Sequence, residues 1–489
     1  MSHSAVEKTS SQTHWFTLFQ WAIRHFWARK RNRWLLMTFA ILAAVSHGLG
    51  AVQALKVRQE ISDLREMEAE RNEVYRSAFT TDEPNNDDSK AQRKIRTQRM
   101  IAKLPTSLAY SGGIDSASYL PRPLAILSVG YSDIWPSRYR ITAHSRRQNL
   151  EREDIASPFR RLTGPWDAAA FILIILPLTL IVLTYDIVSS EQELGTSSLL
   201  QLSVKEIRIY FLFRFLVCGL GLGGLLIGIH VFTAFLFSSP AAVSLGLWCV
   251  FVVAYTAFWL GLAWAINALK ISSVASVMLL TLLWALLTIL FPTTLARLAE
   301  KQFPVIENTY LITQERLLRE QAENDLRRLL DAYYDTHPEV TRPSKKEDPY
   351  GQTRWDAIRE EVDRQMQPLL ATRLSQIQQR RLVVERLSLL DPALAAKTVM
   401  DELAGTGLYQ YATFAEHALH YDEQFKSYFQ PLMMQRGELT EKSFAAIPAF
   451  AERTDDMPLR LSLLLQCNLA IVAWTVGLFL FGWIRLRKV

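Results

Sequence analysis

The sequence predicts a mainly α, polytopic membrane protein with six transmembrane helices, an N-terminal interfacial helix and two large, mostly helical external segments. Three observations lead there. Six apolar runs, Trp34–Leu55, Trp166–Tyr185, Ile209–Phe237, Val243–Ala268, Ser273–Thr294 and Leu461–Ile484, are each long enough to cross about 30 Å of hydrocarbon as a helix. Lys and Arg gather at alternate ends of these runs, as the positive-inside rule requires. All three cysteines, Cys218, Cys249 and Cys467, fall inside the runs. The external segments therefore have no thiol with which to form a disulfide.

Residues 1–33 form the cytoplasmic N-terminus. Within them "HWFTLFQWAIRHFWARKRNRW" places Trp15, Phe19, Ala22 and Phe26 at helical spacing, an amphipathic pattern whose tryptophans and cationic end suit the headgroup boundary. The alternative is a longer first span. The first span, 34–55, follows "RHFWARKRNR" and so leaves the N-terminus inside. Val52-Gln53-Ala54 would pass as a signal-peptide cleavage site, but the polar region ahead of it is far longer than such leaders carry, and the span is read as uncleaved. Residues 56–165, the first external segment, open with "KVRQEISDLREMEAERNEVYRSAF", which lacks Gly and Pro and should continue the first span outward as a helix. Further on, "YSGGIDSASYLPRPLAILSVGYSDIW" suggests strands or irregular packing.

Residues 166–294 hold spans two to five. The short loops carrying Lys205, Arg208 and Lys270 fall inside, and the uncharged "SSPAA" turn from Ser238 falls outside. Residues 295–459, the second external segment, read as helices of mixed charge. In the last, Asp391-Pro392 supplies an N-cap with proline at the first helical position, and Gly405 is placed to stop it. Residues 460–489 are the sixth span and a basic tail, "RLRKV", on the same side as the N-terminus.

Composition also excludes. The net charge of +6 is concentrated at the inner membrane surface, so it argues for no nucleic-acid partner. No Gly-Lys dipeptide occurs, so a phosphate-cradling loop is absent and any ATP must be bound by another polypeptide. HExxH, CxxC and GxSxG are absent too, and the chain is expected to be a non-catalytic membrane subunit. His417 and His420 stand one turn apart in "EHALHYDE", a spacing that a solvated helix face explains better than a metal site; no metal ligands are assigned.

In the third span, Gly219 with Gly223 and Gly224 with Gly228 have the small-xxx-small spacing that lets helices approach closely. His230, near the outer end of that span, either lines a translocation path or bonds a neighbouring helix. Arg208 and Arg214 flank its inner end and are expected to snorkel.

Between spans two and three, the loop 186–207 contains "SSEQELGTSSLLQLS". Ser189 or Ser190 can cap a short helix whose first turn carries Glu191 and Glu193, matching the helix dipole. Leu194, Leu199, Leu200 and Leu202 give it an apolar face, for lipid headgroups or for a protein docked from the cytoplasm. The layout and this loop resemble permease subunits of the ABC-2 superfamily of ATP-binding-cassette transporters. In that family the loop commonly runs Ser-x-Glu-x-Glu-x-Gly-Thr-Leu, then leucines, then Pro and, later, Gly-Lys. Ser189, Glu191, Glu193, Gly195, Thr196, Leu199 and Leu200 match; Val204 and Phe213-Arg214 depart from it. A narrower resemblance, to the subgroup with large periplasmic domains, rests on "RPLAILSVGYSDIWPSRYRIT" and on "LLDPALAAKTVMDELAGTGLYQYATFAEHALHYDEQFKSYFQP".

The resemblance implies a permease in a bacterial inner membrane, both termini cytoplasmic, working as an exporter. It implies a separate ABC ATPase carrying ATP and Mg and docked on Glu191, Glu193, Gly195, Thr196, Leu199 and Leu200. A second permease, a copy or a relative, and a periplasmic or outer-membrane partner would complete the assembly. Two other readings remain at this stage: ABC-driven maturation or extraction of an envelope protein, and a membrane-anchored sensor or structural protein.

Overall fold

The computed structural model describes residues 3–80, 90–111, 114–133, 135–144, 166–203, 206–238, 242–338, 352–435, 437–451 and 460–487. It is mainly helical, with six helices long and apolar enough to cross a membrane.

Helix α1 (His3–Ala28) and helix α2 (Lys30–Thr80) are separate elements broken at Arg29. The break is fixed locally: the Asn32 amide nitrogen donates to the Phe26 carbonyl at 3.1 Å, and the Asn32 backbone N–H to Arg29 O at 3.1 Å. The first span is therefore not extended backward. Phe19, Ala22 and Phe26 join the apolar core while Trp15 stays exposed, so the predicted face holds for three of its four members. Beyond its apolar part α2 runs on unbroken to Thr80, as a stretch without Gly or Pro allows.

Spans two to six are α3 (Ala168–Thr184), α4 (Ile207–Phe237), α5 (Ala242–Asn267), α6 (Ser273–Gln302) and α7 (Leu461–Arg487). Helix α5 is central, burying Trp248, Tyr255, Trp259 and Trp264 almost completely. Glycines set its distance from two neighbours, because a Cβ at Gly219 of α4 would collide with Leu260, and one at Gly482 of α7 with Trp264. The predicted glycine pairs divide. Gly219 and Gly223 face α5, Gly223 with Thr256 3.9 Å from its notional Cβ, whereas Gly224 and Gly228 meet nothing within 4 Å. Only the first pair acts as a packing seam. Helix α6 carries a π turn at Leu286–Leu290 just ahead of Pro292; proline lacks an N–H and its ring crowds the carbonyl four residues back, which a wider turn relieves.

The two long polar segments, 56–165 and 295–459, interlock. Tyr75, Leu108, Ala117 and Tyr139 from the first share a core with Tyr411, Phe414, Phe425 and Phe429 from the second. Tyr110 Oη donates to Asp356 Oδ1 at 2.8 Å, and Arg359 donates to Tyr110 Oη at 2.7 Å and to Ala143 O at 2.9 Å. A two-stranded antiparallel ribbon pairs Ser116 with Arg140 and Ser118 with Arg138.

One helix of the second segment leaves this body. Helix α8 (Pro392–Ala404) is capped as the sequence predicts: Asp391 accepts from Ala393 N–H at 2.9 Å, and Gly405 ends it at φ +69°. Thr406 N–H then reaches back to Asp401 O at 2.9 Å, a left-handed stop that favours glycine. Its Ala395, Ala396, Val399, Met400 and Leu403 lie in the same apolar core as the spans, against α7, α5, α3 and the π turn. Ser128 bonds Asp401 of this helix and the adjacent Val129 N–H bonds Asp167, the N-cap of α3, which places it at that span's N-terminal end, opposite to the loop that follows Thr184.

Candidate functional site: the 186–207 segment and its braces

The segment between α3 and α4 folds into two short helices where the sequence suggested one. Ser189–Glu193 and Ser197–Ser203 are separated by a turn in which Gly195 takes φ +70°, a conformation that costs other L-residues about 1–2 kcal/mol. The expected serine cap is absent: Val188 holds the N-cap position without a side-chain bond. Ser189 Oγ instead meets Ser273 Oγ at 2.8 Å. Val204, where the family pattern has proline, lies outside the described residues.

The acidic residues are held by partners on the spans, Glu191 turned inward and Glu193 from an exposed position. Glu191 accepts from Arg214 Nη1 at 2.9 Å and from Thr196 Oγ1 at 2.6 Å. Arg214 is only 5 % exposed and also donates to Ile187 O at 3.3 Å, so it is a buried strut to α4 and does not snorkel. Arg208 likewise stacks its guanidinium over the Trp483 ring, 4.7 Å from the centroid. Glu193 accepts from the backbone N–H and hydroxyl of Ser273 at 2.7 and 2.9 Å, capping the start of α6. Asp186 pairs with Arg31 at 3.3 Å, at the start of α2. The buried Asn267, last residue of α5, accepts from Val188 N–H at 3.2 Å and donates to Thr184 O at 3.1 Å.

Four spans are thus bonded to one short segment by side chains that sequence spacing could not pair. Beside Gln192 and Glu193 the segment presents three leucines outward: Leu194, Leu199 and Leu202 are 75, 65 and 87 % exposed. Leu200 is half-buried against the core of the spans, so of the predicted docking residues it belongs to the inner side. Glu191, Glu193 and Thr196 are braces, and Gly195 makes the bend.

At the opposite end, the two stretches that carry the narrower resemblance meet. Ser128 Oγ donates to Asp401 Oδ1 at 2.7 Å, Thr406 Oγ1 to Ser128 O at 3.0 Å, Tyr131 N–H to Thr406 O at 2.8 Å and Arg122 to Glu402 O at 3.2 Å. Lys397 pairs with Asp401 at 2.7 Å. Burial lifts the Asp391 carboxyl to about 6, against the pull of the Ala393 and Leu394 N–H groups.

Between the two ends, His230 is buried and bonds across to a residue sequence reasoning missed. His47 Nε2 of α2 lies 3.2 Å from His230 Nδ1. The signal was available, since His47 is an ionisable residue inside an apolar run just as His230 is. On the polar body, His420 has its Nε2 3.0 Å from the Gln424 amide nitrogen one turn on, a contact along its own helix.

Residues 308–452 match a protein family described as a domain of unknown function, DUF3526. The match takes in α8 and the polar helices around it and leaves the 186–207 segment outside. No curated protein matches the chain.

Proposed function

We propose that this chain is the membrane-spanning permease subunit of an ABC-2 type exporter, and that a separate nucleotide-binding subunit docks on the 186–207 segment. The observation that carries the reading is the set of braces. Arg31–Asp186, Arg214–Glu191, Asn267–Val188 and Ser273–Glu193 tie one segment with an apolar outer face to spans one, three, four and five. Such a segment cannot be displaced as a loose loop. Breaking a buried pair such as Arg214–Glu191 costs about 3–5 kcal/mol, so a push on the exposed leucines moves α2, α4, α5 and α6 together before the segment tears free.

In this reading the segment and both termini lie in the cytoplasm of a bacterial cell, and residues 56–165 and 295–459 lie in the periplasm. ATP and Mg belong to the partner ATPase, and this chain supplies the lever. Two permeases, identical or related, would form the complete pathway. Helix α8, wedged between the outer ends of the spans, would feel their motion and pass it to the periplasmic body.

The experiment is to isolate the chain with its native partners from membranes and assay nucleotide hydrolysis, alongside labelling of a Leu202→Cys variant with a membrane-impermeant maleimide. The expected outcome is an associated ATPase activity and labelling only from the inner face. A sensor or structural protein would bring no ATPase with it, and outer-face labelling would remove the docking site altogether.

A further inference from the structure

We infer that the start of α2 is a binding site for one anionic phospholipid, its phosphate held by Lys30 and Arg33 and an acyl chain laid along Trp34, Met37 and Ile41. These five residues stand three and four apart along the helix, so they share one face of α2. All are exposed, the three apolar ones to 65, 47 and 56 %. The cations around them are sorted. Arg29 and Arg31 turn to Asp186, at 3.8 and 3.3 Å. On the same side of the bundle Arg214 is spent on Glu191 at 2.9 Å, and Arg208 lies over the Trp483 ring. Lys30 and Arg33 have no ion pair among the described residues.

The charge pattern selects an anion. No Asp or Glu occurs from residue 8 to residue 59, and Asp186 is already taken. Two cations on one helix face converge on one phosphate, whereas a zwitterionic headgroup would bring an ammonium to the same place with no carboxylate to receive it. The apolar residues select the carrier of that anion. Ile41 lies eleven residues beyond Lys30, about 16 Å at 1.5 Å per residue, which is about half of a 30 Å hydrocarbon core and so the depth of one leaflet. A soluble anion or an acidic protein surface would satisfy the cations and leave Trp34, Met37 and Ile41 uncovered. The basic tail offers no equivalent: Arg485 and Arg487 are also exposed, but residues two apart point to different faces of a helix. The site adjoins the 186–207 segment through the Arg31–Asp186 pair and needs no ATPase.

The test uses the full chain in phosphatidylcholine nanodiscs holding a rising fraction of phosphatidylglycerol, released for native mass spectrometry, which counts the lipids each molecule keeps. The wild-type chain should keep a phosphatidylglycerol in preference to phosphatidylcholine, and excess inorganic phosphate should not displace it. Lys30→Gln/Arg33→Gln, which touches none of the braces, should bind it about 25-fold more weakly, about fivefold for each cation. Lys30→Arg/Arg33→Lys should restore retention, and Arg485→Gln/Arg487→Gln should behave as wild type. A wild-type chain without preference overturns the site. Equal losses from the two glutamine variants would mean diffuse surface charge, and displacement by phosphate a soluble anion. A dimer that keeps no phosphatidylglycerol would mean that a second copy covers this face. Each of these results also overturns it. No ATPase enters the assay, so its outcome stands apart from the function proposed above.

Discussion

The 186–207 segment and helix α8 sit at opposite ends of the bundle and solve opposite problems. The segment keeps Leu194, Leu199 and Leu202 in solvent, while Asp186, Glu191 and Glu193 are each bonded to a different span. Helix α8 buries its apolar side among the spans and anchors its ends with caps: Asp391 at one end, and at the other Gly405, whose carbonyl accepts from Tyr119 Oη at 2.6 Å. The first is stabilised by long-range pairs; the second is stabilised by local stops and packing. A surface that receives a partner needs exposed apolar area backed by stiff connections. A helix that reports on span ends needs close packing and little freedom.

Substitutions can break this contrast, and the largest effect is expected at the segment. Glu191→Ala leaves Arg214 as an uncompensated buried charge and should lower stability by about 3–5 kcal/mol, read as a fall in the melting temperature of purified protein. The double variant Glu191→Leu/Arg214→Met should be less damaged than either single change. Additive losses would show that the two side chains do not act as a pair.

At α8 the backbone is the sensitive element. Gly405→Val forces a β-branched residue to φ +69° and brings its Cβ within 2.8 Å of the Arg122 side chain; the expected loss is on the order of 2 kcal/mol. Asp391→Ala removes the N-cap and should cost about 1 kcal/mol, with Asp391→Asn recovering most of it. If Asp391→Ala proved the more harmful of the two, the left-handed stop would not be the critical anchor.

The smallest effect is a pH slope in the body formed by the two polar segments. Burial lifts the Asp115 carboxyl from 3.8 to about 6, with the Glu68 charge adding to it and the Phe450 N–H opposing. The folded state therefore holds the proton more tightly than the unfolded one. The resulting stabilisation is complete below about pH 3.8 and is lost as pH rises through about 6. Asp115→Asn keeps an acceptor for Phe450 N–H and should flatten that part of the stability profile; an unchanged profile would place the titration elsewhere.

The spans, the extension of α2 and both caps of α8 were legible because hydropathy, the lack of Gly and Pro, and cap chemistry are local signals. What escaped was set by distant partners. Arg214 looked like a headgroup anchor because Glu191 stands 23 residues away. Leu200 looked equivalent to Leu199 until the bend at Gly195 turned it inward. Lys397, Asp401 and Glu402 belong to a stretch that reads only as mixed charge, because their partners Ser128, Arg122 and the Arg460 backbone N–H, which donates to Glu402 Oε1 at 3.2 Å, come from elsewhere in the chain. His47 and His230 were each visible as ionisable residues in an apolar run; their pairing across 183 positions was not.

The central claim is that a nucleotide-hydrolysing partner grips the outward leucines of the 186–207 segment. Its most direct test is Leu199→Asp/Leu202→Asp, which touches exposed positions and none of the braces. The expected result is an unchanged melting temperature together with loss of the co-purifying ATPase. An ATPase that stays bound to this stable variant would contradict it.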